Sequence, residues 1–406
     1  MKNVAGDSTR AVLASLATII GGALLNQAAH GALQVYVPLQ MLAAGMAPVW
    51  IGLVTSAFAG GFFAGCHLAS KLLSRLGHVR AFAVCASLQA VLTMALLLTE
   101  RPAVWLVIRF AMGVAGACIA VTYESWINDR TPLAMRGRIF GLYNVLNRLS
   151  QLSGQLACAV LASALLVAAG ASALFVVLGS VFILSLLPVG LTRSASPTPP
   201  EIHRPPMRAL WQSAPVAVAT AFHSGMAGTV LIGILPVYAQ AQGMAVGPAA
   251  LLAVAAQAGC LLTQWPLGEA CDRSDSAHVI GLAAAVACIA ALSILALHAW
   301  PGTPAASAVP LLAIAALLGG AVLPTYALSF THASQKLSPG ASTVGLSSGL
   351  LTSWSAGSIA GPVLATAAMQ HWGAAALAFY LALPALMLAI FARSHRRSAS
   401  AARQAR

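Results

Sequence analysis

Charged residues are scarce in this chain of 406 residues: Asp, Glu, Lys and Arg make up only 7% of it, and Asp and Glu together number 8. A soluble domain usually has about a quarter of its residues charged. Here 59% of residues are hydrophobic, which is typical of a protein whose solvent is a lipid bilayer. The formal net charge of +13 does not indicate nucleic-acid binding, because the basic residues lie in short gaps between apolar runs.

Motifs of catalysis and metal binding are missing as well. The sequence has no HExxH, no phosphate-binding loop and no nucleophile elbow. It also has no CxxC pair, and its odd number of cysteines in or beside apolar runs predicts packing thiols rather than disulfides. We therefore expect neither an enzyme nor a cofactor or metal site. The seven cysteines are Cys66, Cys85, Cys118, Cys158, Cys260, Cys271 and Cys288.

Long apolar runs fill most of the chain. A helix needs roughly 20 apolar residues to cross a hydrocarbon core about 30 Å thick, and twelve runs have that length. The first is too long for a signal peptide, and we expect it to be retained. The sequence thus predicts an all-α membrane protein with twelve transmembrane helices. The runs are 11–38, 49–70, 80–99, 102–126, 138–163, 171–192, 214–241, 247–268, 277–298, 307–331, 343–368 and 373–393.

Basic residues occur in alternate gaps between these runs. On one predicted side of the membrane, Arg101 is the one basic residue in the gaps. By the positive-inside rule the other side is cytoplasmic, which places both termini in the cytoplasm. The basic residues on that side are Lys2, Arg10, Lys71, Arg75, Arg80, Arg130, Arg136, Arg138, Arg193, Arg204, Arg208, Arg273, Lys336, Arg393, Arg396, Arg397, Arg403 and Arg406.

The chain reads as two repeated halves. Residues 193–212, RSASPTPPEIHRPPMRALWQ, form a polar and proline-rich break that predicts a cytoplasmic linker. It separates bundles of six helices at 1–192 and 213–393, and a basic cytoplasmic tail follows at 394–406. One offset of 198 residues pairs Pro38 with Pro236, Gly61 with Gly259 and Arg75 with Arg273. We therefore expect two pseudo-symmetric bundles with a solute cavity at their interface.

Several short motifs resemble those of the major facilitator superfamily over nearly the whole chain. The loop signature G-x-x-x-D-R-x-G-R matches GEACDRSD through Gly268, Asp272 and Arg273, with Asp275 where glycine is usual. The equivalent first-half stretch, SKLLSRLGHVR, keeps Arg75 and Gly77 but has Ser70 and Ser74 at the positions of glycine and aspartate.

Two further motifs extend the resemblance. Arg109, Gly113 and Gly116 on the fourth run resemble the R-x-x-x-G-x-x-G pattern of proton-coupled members. Gly357, Gly361 and Pro362 on the eleventh resemble the G-x-x-x-G-P motif of antiporters, whereas the fifth run offers only Gly154 followed by Gln155. The stretches YESWIND and RLGHVRAFA are similar to a bacterial branch with an E-S-W-[IL]-N-D motif. The resemblance implies a transporter of the bacterial inner membrane.

Polar residues are concentrated between positions 121 and 155. Glu124 lies about 33 Å along a helix that starts at Pro102, which places it at the cytoplasmic edge. There it can pair with Arg75, Arg136 or Arg138 and act as a gate, or serve as a solvated anchor.

Arg148 lies deeper, about 15 Å beyond Arg138. Asn144, Arg148, Gln151 and Gln155 follow at spacings of four, three and four residues, so they share one helical face, and Asn147 flanks it. Lipid would not tolerate such a face, so it either lines a cavity or forms a hydrogen-bond network between helices.

Other polar residues within the runs are further candidates. Arg109, about 10 Å deep, is expected to bind solute, tune proton coupling or tie the fourth helix to its neighbours. His30 and His223 are candidates to carry a proton or to donate a hydrogen bond. Tyr326 is either a cavity aromatic or a packing residue. The remaining cavity candidates are Asn26, Gln27, Gln34, Gln257, Gln264, Ser348, Thr352 and Ser355.

The polar inventory favours one class of solute. Arg109 and Arg148 are predicted inside the membrane, and no Asp or Glu reaches its middle. This arrangement favours an anionic or hydrogen-bond-rich solute, with protons as the expected coupling ion and no Na⁺ site. We expect a monomeric secondary transporter in the bilayer. The alternatives are a proton-driven drug or metabolite efflux pump, a membrane sensor without flux, and a metal-ion transporter, for which His223 and Met226 are suggestive.

Overall fold

The computed structural model describes residues 3–131, 136–168, 172–190, 207–299, 304–336 and 343–404, and α-helices make up nearly all of these ranges. The helices are α1 (Asn3–Ala43), α2 (Pro48–Leu76), α3 (His78–Ala95), α4 (Pro102–Arg130), α5 (Arg136–Ala168), α6 (Ser172–Leu184), α7 (Leu186–Gly190), α8 (Met207–Ser213), α9 (Pro215–Gly233), α10 (Leu235–Ala241), α11 (Val246–Arg273), α12 (Ser276–His298), α13 (Pro304–Val322), α14 (Thr325–Lys336), α15 (Thr343–Trp372) and α16 (Ala376–Gln404). Most of the predicted linker, 193–206, lies outside the described residues.

Nine segments of the described chain are long and apolar enough to cross a membrane, which confirms an all-α membrane protein. Three of the long helices, α1, α5 and α15, are not among the nine. All three coincide with predicted spans that carry polar candidates. The total of twelve spans stays a prediction.

Three of the predicted spans consist of two helices each. The breaks fall at Ser185, at Ile234 and at residues 323–324. A proline lies at or just beyond each break, and proline cannot donate the backbone hydrogen bond that would continue the preceding helix. Pro38, the counterpart of Pro236 in the first half, lies inside an unbroken α1.

The chain divides into two compact units. The first comprises Met1–Val37 and Ala57–Ile202, and the second comprises Pro38–Ser56 and His203–Arg406. The second unit thus contains the start of α2, where the Val49 N–H donates to Gln370 Oε1 of α15 over 3.2 Å. That side chain satisfies one of the backbone donors that a helix N-terminus leaves unpaired. The predicted domain boundaries stay a prediction.

In the first unit, α2 and α4 approach each other through their backbones. A β-carbon on Gly61 would overlap the carbonyl oxygen of Phe110, and one on Gly113 would overlap the carbonyl oxygen of Phe58. Small residues permit this close approach between helices in a membrane. The R-x-x-x-G-x-x-G pattern on α4 is thus a packing surface for α2.

The second unit repeats this contact between α11 and α13. A β-carbon on Gly259 would overlap the carbonyl oxygen of Ala316, and one on Gly319 would overlap that of Ala256. Relative to the first unit, the offset is 198 residues on α11 and 206 on α13. The predicted pairing of Gly61 with Gly259 is therefore confirmed by equivalent contacts.

The crossing of α1 with α5 is repeated as well. In the first unit Gly154 lies against the carbonyl oxygen of Ala28, and Ser150 Oγ donates to the carbonyl oxygen of Leu24. A β-carbon on Gly31 would overlap the carbonyl oxygen of Gln151 on the same side of the crossing.

In the second unit, Gly361 lies against the carbonyl oxygen of Met226 and Gly357 against that of Phe222. These contacts are offset by 198 residues on α9 and 207 on α15, so Gly361 corresponds to Gly154 and Gly357 to Ser150. At the position of Pro362 the first unit has Gln155. The fifth run therefore matches the antiporter motif only at Gly154, because Ser150 and Gln155 replace its other glycine and its proline.

The loop signature departs from its family pattern for a structural reason. Gly77, just before α3, has φ +71°, a conformation that favours glycine. Its counterpart at the offset of 198, Asp275, starts α12 differently: its Oδ1 accepts a hydrogen bond from the Ala277 N–H over 3.0 Å. A side-chain N-cap thus replaces the glycine turn.

Each unit also contains a histidine–serine hydrogen bond, with the residues exchanged. In the first unit His78 Nε2 of α3 lies 2.9 Å from Ser125 Oγ of α4. In the second unit Ser276 Oγ of α12 lies 2.7 Å from His332 Nδ1 of α14. The offset is 198 residues between His78 and Ser276 and 207 between Ser125 and His332, one residue more than the 206 that relates α4 to α13. The two bonds therefore join the corresponding helices of each unit.

All seven cysteines are free thiols, and six of them are buried.

We expect Gly113→Ala and Gly319→Ala each to destabilise the protein by about 1–3 kcal/mol, because the new methyl group overlaps backbone atoms. Gly141→Ala is the control, since a β-carbon at this exposed site in α5 meets no atom within 4 Å. Thermal unfolding of the detergent-purified protein measures the effect. Equal melting temperatures for Gly113→Ala and Gly141→Ala would show that the α2–α4 contact is not tight.

Candidate functional site

A buried arginine is the central feature of the first unit. The Arg109 side chain on α4 is 2% exposed. Its Cζ lies 4.7 Å from the centroid of the Phe58 ring on α2, a cation–π distance. Arg109 Nε and Nη1 are buried without a hydrogen-bond partner among the described residues. Donors of this kind in a native protein normally bind water or a ligand.

Carboxylates do not neutralise this charge within the described part of the chain. Every acidic side chain whose burial the structure describes is exposed, and neither of the two ion pairs between described residues includes Arg109. A buried cation without a partner is unfavourable in a low-dielectric environment. The site is therefore suited to an anion brought from outside. The acidic residues with described side chains are Glu100, Glu124, Asp129, Glu269, Asp272 and Asp275.

Three predicted residues form a hydrogen-bond chain from α1 to α5. The His30 ring centroid lies 4.5 Å from that of Phe58. His30 Nε2 lies 3.0 Å from Gln34 Nε2. Gln151 Nε2 of α5 donates to Gln34 Oε1 over 3.1 Å. The structure thus joins candidates from two separate parts of the sequence in one cluster with Phe58 and Arg109, which we call the Arg109 cluster.

Residues of the predicted α5 face differ in their surroundings. Asn144 is exposed, and Asn147 and Arg148 are half-buried. Gln155 is fully buried, and both of its amide atoms have no hydrogen-bond partner among the described residues. Asn147 Oδ1 is also buried without a hydrogen-bond partner among the described residues. Gln151 therefore fits the interpretation as a network between helices, whereas Gln155 fits a water or ligand contact.

On α1, Asn26 is buried at 3% exposure, and its Nδ2 has no hydrogen-bond partner among the described residues. Gln27 is half-buried. Asn26 thus adds an unsatisfied donor to the same unit.

Two residues of this unit escaped the sequence analysis. Gln89 on α3 is buried, its Oε1 has no partner among the described residues, and its Nε2 lies near Gly116. A glutamine inside an apolar run was a usable signal. Phe58 gave no such signal, because phenylalanine is common in apolar runs.

The predicted gate is only partly described. Glu124 and Arg75 are exposed, and neither belongs to an ion pair between described residues. The side chains of Arg136 and Arg138 lie outside the described part of the chain. The gate stays a prediction.

The second unit contains the remaining candidates. His223 on α9 is buried, and neither ring nitrogen has a partner among the described residues. Gln257 is buried; Tyr326 is half-buried and stands edge-on to Trp354, with ring centroids 6.1 Å apart. Thr352 Oγ1 donates to the carbonyl oxygen of Ser348 in its own helix over 2.8 Å. None of these contacts joins them in a cluster like that of the first unit.

The loop residues of the second unit lie at its surface. Arg273 pairs with Glu269, one turn earlier on α11, over 2.5 Å, and both side chains are largely exposed. Asp272 is exposed, and a β-carbon on Gly268 would meet nothing within 4 Å. Such exposed pairs contribute little to stability. Among the described residues, no group of three His, Cys, Asp or Glu side chains is placed to hold a metal ion.

Sequence comparison identifies a family and relatives. The family model described as "Major Facilitator Superfamily" matches residues 19–347. An uncharacterised MFS-type transporter of Yersinia pestis (strain Pestoides F) is 27% identical over 361 residues, which cover 87% of this chain and 88% of that protein. The uncharacterised MFS-type transporter YcaD of Salmonella newport (strain SL254) is 27% identical over 358 residues, with the same coverage.

Solved structures share the fold at low sequence identity. The nucleoside transporter NupG has a TM-score of 0.71 and 14% identity, covering 94% of this chain and 98% of its own. A bacterial homologue of the human lysosomal transporter Spinster, inward-facing and occupied, has a TM-score of 0.66 and 19% identity, covering 95% and 94%. A D-xylose–proton symporter has a TM-score of 0.64 and 14% identity, covering 93% and 96%.

We expect Gln151→Leu and Gln155→Leu to affect stability differently, although the two positions are one helical turn apart. Gln151→Leu removes a hydrogen bond to Gln34 and should destabilise the protein by about 1 kcal/mol. Gln155→Leu removes two unsatisfied polar atoms and should leave stability unchanged or raise it. Thermal unfolding in detergent compares them. Greater destabilisation by Gln155→Leu would show that Gln155 has a structural partner.

Proposed function

This chain belongs to the Major Facilitator Superfamily, and from that premise we propose that it transports a small polar or anionic organic solute by alternating access. As a member of that family it is a multi-pass bacterial membrane protein and a secondary transporter. Its family indicates transport of a small molecule rather than catalysis. The class of solute and the coupling ion are the proposed part.

The buried guanidinium of Arg109 is the observation that carries the proposal. It lies among described residues without a carboxylate partner, and two of its donors are unsatisfied. A solute with a carboxylate or another oxyanion would supply the missing charge and accept those hydrogen bonds. Arg148, half-buried on α5, adds a second cation in the same unit.

Unsatisfied amides extend the proposed binding site beyond a single charge. Asn26 Nδ2 is available as a donor, Gln89 Oε1 and Asn147 Oδ1 as acceptors, and Gln155 as both. A solute with hydroxyl or amide groups besides its charge would satisfy more of them than a bare anion. The proposed site therefore favours a hydrogen-bond-rich organic anion.

The topology and the gate belong to the same proposal. We place twelve spans in the inner membrane, both termini in the cytoplasm and the protein as a monomer. Glu124 would close the cytoplasmic side by pairing with Arg75, Arg136 or Arg138. The YESWIND stretch would assign the chain to the branch with the E-S-W-[IL]-N-D motif.

Proton-driven export of a drug or metabolite is the second candidate. It is favoured by α15, where Gly357 and Gly361 pack against the α9 backbone in the manner of the antiporter motif. The counterpart residues Ser150 and Gln155 on α5 weaken it. Net flux in vesicles of each orientation distinguishes export from uptake.

We expect Arg109→Gln to reduce transport of an organic anion by about 10- to 150-fold, because a hydrogen bond to a charged group contributes about 1.5–3 kcal/mol. Proteoliposomes with the purified protein, assayed with gluconate, lactate, uridine and D-xylose, measure the effect. Arg101→Gln, at an exposed position before α4, is the matched control and should transport normally.

Loss confined to the anions would support a charge-binding role for Arg109. Equal transport by Arg109→Gln and Arg101→Gln would contradict it. If the protein transports uridine or D-xylose in preference to the two anions, its solute is a neutral molecule and the proposed anion specificity is wrong.

Arg148→Ala should also lower anion transport, by roughly tenfold, since one half-buried charge-assisted contact is lost. A melting temperature close to that of the wild type shows that the variant is folded. Unchanged flux in a folded variant would remove α5 from the proposed site.

A further inference from the structure

Two cysteines on neighbouring helices of the first unit face each other. The hydrogen bond between His78 of α3 and Ser125 of α4 fixes how these two helices are aligned. Cys85 lies seven residues after His78, and Cys118 lies seven residues before Ser125. Seven residues are about two helical turns, so both cysteines lie on the contacting faces at the same level. The Cys85 thiol accordingly forms a hydrogen bond with Cys118 Sγ.

A contact on the far side of the pair confirms this alignment. Gln89 lies one turn after Cys85, and Gly116 lies two residues before Cys118. A β-carbon on Gly116 would be 3.3 Å from Gln89 Nε2. Contacts between α3 and α4 therefore enclose the two thiols from both ends, and the helices do not diverge between them.

The hydrogen bonds of the pair leave one sulfur facing the other. Cys118 Sγ donates to the carbonyl oxygen of Gly65 on α2 over 3.9 Å. The hydrogen of this thiol thus points towards α2, and its lone pairs accept from the Cys85 thiol. A covalent bond between the two sulfurs would take the place of this thiol–thiol hydrogen bond.

The surroundings of the pair are apolar. Cys85 is 4% and Cys118 is 2% exposed, and both belong to a hydrophobic cluster that includes Phe82, Ile119 and Tyr123. A soft metal ion held by two thiolates would bury a net negative charge there, at a large cost in free energy. A disulfide is neutral and keeps the cluster apolar. The environment therefore favours a disulfide over a metal ion.

The same environment selects the oxidant. A charged oxidant is excluded from an apolar cluster within the bilayer. A neutral organic hydroperoxide dissolves in lipid and can reach the helices from the side. Because the two thiols are already in contact, a first oxidation product on one of them has its partner beside it.

We propose that Cys85 and Cys118 are a modification site, at which a lipid-soluble hydroperoxide converts the two thiols into a reversible disulfide. One sulfur attacks the peroxide, the O–O bond breaks, and the alcohol leaves with the first thiol proton. The sulfenic acid that forms is attacked by the second sulfur. The S–S bond then closes, and the hydroxyl group leaves as water with the second thiol proton. Two electrons pass from the sulfurs to the peroxide. This inference does not depend on the solute.

The bond has a consequence for the stability of the first unit. It closes a loop that runs from Cys85 on α3 through residues 96–101 to Cys118 on α4. Such a loop restricts the unfolded chain and thereby stabilises the folded state. The oxidised protein should consequently melt several degrees above the reduced one.

The test maps the bond in the wild-type protein. Proteoliposomes are treated with tert-butyl hydroperoxide, remaining thiols are alkylated, and the protein is denatured and digested with trypsin. Because Arg109 lies between the two cysteines, they are released in separate peptides, 81–109 and 110–130. Mass spectrometry should find these two peptides joined more often than any other pair, and dithiothreitol should separate them.

Cys158→Ala is the matched control for Cys118→Ala. Cys158 is also fully buried, on α5, and trypsin releases it in another peptide, 149–193. The joined peptides and the rise in melting temperature should be lost in Cys118→Ala and kept in Cys158→Ala. Joining of Cys118 to Cys66 in place of Cys85 overturns the inference. Thiols that stay reduced, or that are oxidised singly, also overturn it.

A comparison within the wild type decides the matter should Cys118→Ala fail to fold. The same oxidant is applied to protein denatured beforehand, in which all seven cysteines are free to combine. A strong excess of the bond between Cys85 and Cys118 in the folded protein alone supports the inference. The same distribution of bonds in the folded and the denatured protein overturns it.

Discussion

The close approach of helix backbones at glycine is the interaction on which both units depend. Lipid provides no hydrophobic drive for apolar helices to associate, so packing must hold them. In the first unit this contact also places the chemistry: the carbonyl group of Phe58 faces Gly113, and the residue after Arg109 faces Gly61. The Phe58 ring and the Arg109 guanidinium lie close together because the α2 and α4 backbones pack tightly at these glycines.

The duplicated scaffold has polar groups in one copy that the other lacks. At the offsets that relate the glycine contacts, Arg109 corresponds to Ala315 and His30 to Gly228. Gln155 corresponds to Pro362, and Gln151 to Ser358. The second unit thus keeps the packing and lacks the cation, the imidazole and the amide chain. Symmetry of the fold therefore does not extend to the site.

The sequence predicts the scaffold better than the site. Glycine spacing and the offset of 198 residues identified equivalent contacts, because backbone packing leaves a pattern at fixed positions. The predicted polar residues His30 and Gln151 are joined through Gln34, since lipid forces polar side chains inward. Their partner Phe58 was not predictable, because nothing in an apolar run distinguishes a ring that touches a cation from one that touches lipid. The N-cap at Asp275 was not predicted for a different reason. A side-chain hydrogen bond there starts α12, whereas a glycine with positive φ starts α3.

The exchanged histidine and serine show how the halves of such a chain diverge. Between the corresponding helices of each unit the bond is kept while the imidazole and the hydroxyl group exchange places. Residue-by-residue alignment scores both positions as mismatches, yet together they preserve one physical feature. A count of identical residues between the two halves therefore misses a contact that both of them contain.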